Sequence, residues 1–326
     1  MGESASVFHL EYSTVTGYFL QDDPATDPAT FDYATSNFGL INQAYDTDTL
    51  SDPNGSKSQW ERFKHKVLTL NQDAEPDTKY TLLYLGRHGQ GYHNVAESYY
   101  GTPSWDCYWS MLDGNETSTW ADAHLTDRGI ADAKVANSVW ATQIEHGIPV
   151  PESYYTSPLY RCLETADVTF GTLNLPLSHP FVPTVKELLR ETIGIHTCDR
   201  RSSRKHIKAS FPTFNIEPGF AEFDQLWDSK LRESSSARTE RLRAALDEIL
   251  LSDSSTFISI TAHSGAITAI LEVVQHRDFP LPTGAVIPVL VRTERKPGKA
   301  PHRTTEPWTP APECTANPTA TQKALN

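Results

Sequence analysis

The sequence predicts an α/β protein built on a largely parallel sheet covered by helices. Three observations predict it. Short apolar or β-branched runs recur between residues 78 and 293, several of the stretches between them carry apolar residues at helical spacing, and the polar, chemistry-bearing residues come after the runs instead of interrupting them. Ligands of such sheets bind beyond the carboxyl ends of the strands, so the residues that follow each run are the candidate site.

The elements follow in chain order. Residues 1–76 are rich in Asp, Thr, Ser and aromatics, and QDDPATDPAT is an acidic, turn-prone stretch broken by Pro24 and Pro28. Within this segment SQWERFKHKVLTL sets Trp60, Phe63, Val67 and Leu68 at helical spacing, which predicts a short helix on an N-terminal extension packed against the core. The first strand is TLLYL, which runs into Arg87 and His88. DRGIADAKVANSVWATQIEHG then repeats Ile130, Ala133, Asn137, Trp140 and Ile144 at intervals of three and four, as a helix does. SYYT is a second strand and leads to Arg161 in TSPLYRCLETA; PTVKEL is a third and leads through Glu187 to Glu191. An insert follows at about 195–235, opening on the basic run HTCDRRSSRKHIK and containing the aromatics of FPTFNIEPGF and EFDQLW. SARTERLRAALDEILLS is helical through Leu242, Leu246 and Ile249, and TFISITA is a strand ending at His263 and Ser264. From Glu294 to residue 326 the chain is Pro- and Thr-rich with few apolar residues, and a disordered tail is expected.

Composition excludes some functions. The 326 residues carry a formal charge of −13, a bulk field that repels nucleic acid and anionic membranes as main partners, although a small anion can bind where cations gather locally. No apolar run approaches the roughly 18 residues of a membrane helix. The start, MGESASVFHLEYS, does not read as a secretory signal; it fits the myristoylation pattern at Gly2 and Ser6, a pattern loose enough to arise by chance. Asn54-Gly-Ser and Asn115-Glu-Thr match the glycosylation sequon, which means little without a signal. Cys107, Cys162, Cys198 and Cys314 form neither CxxC pairs nor a dense framework, so reduced thiols, a cytoplasmic location and the absence of a zinc site are expected. Oligomeric state is not legible.

Polar residues recur after four successive strands: Arg87 and His88, Arg161, Glu187 and Glu191, then His263 and Ser264. A shared pocket is the economical reason. The residues also carry a resemblance. RHGQGYHN resembles the Arg-His-Gly-x-x-x-x-Asn signature of the histidine phosphatase superfamily, in its phosphoglycerate-mutase-like branch. LTDRGIADA, SPLYRCLETA and AHSGAI resemble three further segments of that branch, in the same order. The resemblance implies a three-layer α/β/α sandwich of the phosphoglycerate mutase-like fold, with residues 77–293 as the catalytic domain.

It also implies a mechanism. His88 attacks phosphorus and becomes a phosphohistidine that water hydrolyses, Arg87 and Arg161 hold the phosphate oxygens, and His263 donates to the phosphoryl group. The residue chemistry agrees. A nucleophilic imidazole must be neutral, and neighbouring guanidiniums lower its pKa from about 6.5 while offering planar forks of donors to phosphate. The general acid implied is Glu191, which Gly194 follows, with Glu187 the competitor four residues earlier. In the acid phosphatase branch an aspartate follows the second histidine; Ser264 stands there in this chain, so the proton comes from elsewhere. Asn94, Gln90, Ser264, Arg200 and Arg201 complete the expected substrate-binding set, with no metal and no cofactor. A metal-independent phosphatase acting on a small phosphorylated substrate is the function expected. The alternatives are phosphoglycerate mutase-type transfer, disfavoured by Tyr92 and His93 after Gly91, and an inactive phosphate-binding module.

Overall fold

Leu82, Leu83, Tyr84 and Leu85 are consecutive and all buried, as in a strand covered on both faces, and they form the middle of the sheet. The computed structural model describes residues 7–318, so the Gly2 and Ser6 pattern lies outside the described residues. The strands are β1 (Phe8–Thr14), β2 (Thr78–Arg87), β3 (Ser153–Thr156), β4 (Thr184–Val185), β5 (Asn215–Ile216), β6 (Phe257–Ala262) and β7 (Val286–Pro297). They form one sheet in the order β1-β7-β2-β6-β3-β4-β5. From β2 through β6, β3 and β4 to β5 every pairing is parallel, while β7 and β1 run antiparallel at one edge.

The helices among the described residues are α1 (Asp48–Ser51), α2 (Gln59–Gln72), α3 (Tyr92–Tyr100), α4 (Thr102–Cys107), α5 (Asp127–Glu145), α6 (Tyr160–Phe170), α7 (Arg204–Ser210), α8 (Ser235–Ser252) and α9 (Ser264–Val273). α5 packs with α6 and α8 with α9, giving the three-layer α/β/α sandwich. Their starts are set locally: Ser58 accepts from Glu61 N, Thr126 from Gly129 N and Ser234 from Ala237 N, each satisfying an orphan donor of the first turn. α2 buries Trp60, Phe63 and Val67 as its spacing requires, but Leu68 stays 37% exposed.

Two of the motifs meet through their glycines. A Cβ on Gly89 would lie 2.2 Å from the Gly129 carbonyl oxygen, and one on Gly129 would lie 2.1 Å from that of Gln90. Only hydrogen fits at either position, which lets the start of α5 close against the turn after β2.

Two sequence expectations are corrected here, and β7 is a strand beyond those expected. A proline is unusual inside a sheet because it lacks an N–H for the ladder. Pro288 lies beyond the last β1 pairing, Thr14 with Val291, so the N–H it lacks faces an edge with no strand to bond. The tail is not a disordered segment from Glu294: β7 continues to Pro297, and Thr309 exchanges two backbone hydrogen bonds with Arg232. Cys107 and Cys314 are not free thiols but a disulfide across 207 residues, a separation that no local spacing rule could reveal. Cys162 and Cys198 are free and buried. Among the described residues no helix is long and apolar enough to cross a membrane.

Candidate active site

The turn after β2 holds His88 rigidly. Its backbone N–H donates to Ala262 O at the end of β6 at 3.0 Å, and the next N–H, of Gly89, donates to Thr165 Oγ1 at 3.0 Å. The ring is 2% exposed, and its Nδ1 lies 2.7 Å from the Gly89 carbonyl. A carbonyl only accepts, so Nδ1 carries the proton and Nε2 keeps its lone pair, the tautomer a nucleophile needs. Burial first, then the charges of Arg161 and Arg87, hold the His88 pKa well below its ordinary value, against the Gly89 bond that favours protonation. The ring is therefore neutral.

Arg161 enters from the first turn of α6, fully buried against His263 and Asp199. Its Nε donates to His263 Nδ1 at 3.2 Å, Nη1 to Cys198 O at 2.6 Å and Nη2 to Asp199 Oδ1 at 2.8 Å. A guanidinium has five N–H donors, so two remain for an anion. Arg87, at the end of β2, uses Nη1 on Leu281 O at 2.5 Å, while its buried Nε has no partner among the described residues. Both arginines, with His88, line one cavity of about 510 Å³.

His263 is brought close but turned aside. Its ring centroid is 5.1 Å from that of His88. With Nδ1 accepting from Arg161, its N–H is at Nε2, 2.7 Å from Ser157 Oγ. The expected donation to a phosphoryl group is not available in this geometry: both ring nitrogens are engaged by protein, and the ring braces Arg161 from behind.

The glutamates separate cleanly. Glu191 lines the cavity; Oε1 accepts from Thr192 N at 2.9 Å and Oε2 from Gly265 N at 2.8 Å, in the first turn of α9. A Cβ on Gly265 would lie 2.3 Å from Glu191 Oε1, so the glycine makes room for the carboxylate. Glu187 lies outside this cavity, paired with Arg190 at 3.0 Å and Arg201 at 2.7 Å. The two share no helical face, since residues 187–189 form a single 3₁₀ turn that ends before Glu191.

Asn94 and Ser264 line the cavity, but Gln90, Arg200 and Arg201 do not. Gln90 accepts from Thr126 Oγ1 at 2.8 Å and so fastens the turn to α5. Arg200 pairs with Asp113 at 2.7 Å and stacks on Trp227. Arg201 is buried over Phe220, bonded to Glu187 and to the carbonyls of Ala221 and Phe223. Besides Arg87 and Arg161, the arginines that border the cavity are Arg232 and Arg238, which sequence reading missed. It also missed His93, whose ring lies 5.4 Å from that of His88 and whose buried Nδ1 has no partner among the described residues. Its place within RHGQGYHN, next to Asn94, was the available signal. Asp199 was missed as well, hidden in a run read only for its positive charge. Burial raises its pKa and Arg161 and Arg232 lower it, and the arginines prevail.

His196, Cys198 and Asp199 bring donor atoms within 4.8 Å of one another. Asp199 already faces two guanidiniums, whose charges oppose a metal cation at this place.

His88, His93 and His263 all have pKa values held well below the usual value, by burial first and Arg161 second. In the unfolded chain an imidazole titrates near ~6.5, so below that pH the unfolded chain takes up protons that the folded site refuses. Stability is therefore full above about pH 6.5 and falls as the pH drops below it. Urea midpoints measured down the pH scale should show this, with a weaker dependence in His93→Phe; a flat profile below about pH 6.5 would mean the three rings are not held neutral.

A profile described as the histidine phosphatase superfamily (branch 1) matches residues 109–288, a span that contains Arg161, Glu191 and His263 and begins after Arg87 and His88. The chain is 61% identical over 294 residues to a probable phosphoglycerate mutase of Arthroderma benhamiae, covering 90% of this chain and 88% of that protein. It is 33% identical over 319 residues to phosphomutase-like protein 3 of Candida albicans, covering 96% and 91%. The solved structure of a putative alpha-ribazole-5'-P phosphatase from Escherichia coli aligns over 64% of this chain and 94% of that chain, at 17% identity and a TM-score of 0.38, a likeness too distant to carry functional weight.

Proposed function

Because the chain belongs to the histidine phosphatase superfamily, we propose that it is a metal-independent phosphatase that hydrolyses a small phosphorylated substrate through a phosphohistidine on His88. The observation that carries this reading is the His88 tautomer: Nδ1–H donates to the Gly89 carbonyl, and the free Nε2 lone pair stands in a cavity with Arg87 and Arg161. The Nε2 lone pair attacks phosphorus, and the ester P–O bond breaks as its oxygen takes a proton from Glu191. Water then attacks phosphorus, giving its proton to the Glu191 carboxylate. The P–N bond breaks, orthophosphate leaves and the lone pair returns to Nε2. The two free N–H donors of Arg161 and those of Arg87 take up the charge spread over the phosphoryl oxygens, as transfer requires. His263 and Asp199 keep Arg161 in place, and Asn94 and Ser264 add polar groups to the cavity wall.

A second reading is phosphoglycerate mutase-type transfer, favoured by the name of the 61% identical Arthroderma benhamiae relative. One experiment separates the two. The purified chain is given a panel of phosphomonoesters, 2- and 3-phosphoglycerate among them, with EDTA present throughout. Release of orthophosphate unaffected by EDTA is the expected result. Isomerisation of phosphoglycerate without phosphate release would establish the mutase reading, and activity lost to EDTA and restored by a divalent cation would overturn metal independence.

A further inference from the structure

The C-terminal tail forms part of the wall of the cavity. Its first anchors lie on one wall: Arg303 faces Glu240 at 3.7 Å, Ser234 Oγ donates to Glu306 O and Glu306 N donates to Ser236 Oγ, both at 2.8 Å. Thr309 then pairs with Arg232, through Arg232 N to Thr309 O at 2.7 Å and Thr309 N to Arg232 O at 3.0 Å. Arg232 and its neighbour Glu233 line the cavity. The second anchor is on another wall, where Cys314 is bonded to Cys107 at the end of α4, a helix whose Trp105 and Asp106 also line the cavity. Between the two anchors Thr309, Pro310, Ala311 and Pro312 line the cavity themselves.

We propose that residues 303–314 are a disulfide-locked strap whose segment Thr309–Pro312 limits the size of the leaving group the site accepts. The segment carries no charged side chain to pair with a phosphate, and it is suited to face the organic part of an ester. Its prolines fix φ and leave little conformational freedom to lose on docking, while its exposed surface contributes few apolar contacts of its own. The covalent bond to Cys107 therefore holds its far end. Cys162 and Cys198 are free and buried, and Cys314 is bonded to Cys107.

The leaving-group part of the proposal rests on the phosphatase reading; the lock does not. The test uses the full chain, Cys314→Ser and Cys107→Ser, neither of which alters a residue of the catalytic set. Non-reducing digestion and mass spectrometry should find the Cys107–Cys314 peptide pair, and hydrogen exchange should show residues 303–314 protected in the parent chain and released in both variants. Both cysteines found as free thiols, or equal exchange in all three proteins, would overturn the lock. Steady-state assays then compare p-nitrophenyl phosphate with the bulkier 4-methylumbelliferyl phosphate. Loss of the wall should raise kcat/KM for the bulky ester relative to the small one by on the order of 10-fold or more in both variants. An unchanged ratio with the strap released would overturn the specificity role. If the parent chain hydrolyses neither ester, the phosphatase reading and the leaving-group role fall together, and the exchange data still decide the lock.

Discussion

Replacing His88 with alanine should lower kcat/KM by on the order of 10⁴-fold or more and leave no phosphoenzyme, because in the proposed mechanism it removes the atom that takes the phosphoryl group. Labelled substrate quenched during turnover should give the parent chain a bond that is labile in acid and stable in alkali, as expected of P–N linkage. The His88 side chain is buried, so loss of activity has to be separated from loss of fold. His88→Asn serves that purpose: it retains a polar side chain in the turn, should unfold close to the parent midpoint in urea, and should still be inactive. Label retained by either variant would move the nucleophile elsewhere, with His93, the ring 5.4 Å away, the first place to look.

Glu191→Gln should slow turnover of an alkyl phosphate by roughly 10²- to 10⁴-fold, the usual span for a lost general acid. The loss should depend on the leaving group. An alkoxide needs its proton as the bond breaks, whereas p-nitrophenolate departs without one, so the variant should be much less impaired on p-nitrophenyl phosphate. The amide keeps the carbonyl oxygen that can accept from Gly265 N, so the start of α9 should remain closed. Glu187→Gln provides the contrast. Its carboxylate bonds Arg190 and Arg201, both buried, and removing that charge should lower the urea midpoint while leaving the leaving-group dependence as it is in the parent. Should Glu187→Gln show the leaving-group pattern and Glu191→Gln not, the acid has been assigned to the wrong glutamate. Equal losses on both substrates in both variants would mean that neither glutamate supplies the proton. The Ser264→Ala variant, at the position held by aspartate in the acid phosphatase branch, should keep most of the activity.

The sheet was legible because its parallel strands are buried on both faces, which forces continuous apolar runs such as Leu82–Leu85 that no surface loop would carry. Arg87, His88, Arg161, Glu191 and His263 were legible for a related reason: each follows such a run or its turn, and parallel strands deliver all those turns to one end of the sheet. What position along the chain could not convey was direction. His263 stands beside His88 yet its ring faces Arg161 and Ser157, and Arg201, taken for a substrate cation, turns inward to Glu187. Side-chain direction is fixed by partners distant in sequence, and a run such as DRRSSRK looks alike whether its members reach solvent, a cavity or a buried carboxylate.

The sequence by itself determined the α/β class, the order of the site segments and the residue types of a phosphoryl-transfer centre, because each depends on local periodicity or on a short run of neighbours. Tertiary structure alone decided that Asp199 holds Arg161, that Glu191 and not Glu187 faces the cavity, and that the Pro-rich tail lines it. Each of these depends on contacts between residues far apart along the chain, 207 positions in the case of Cys107 and Cys314, and folding brings them together through burial and hydrogen bonding that no window of the sequence contains.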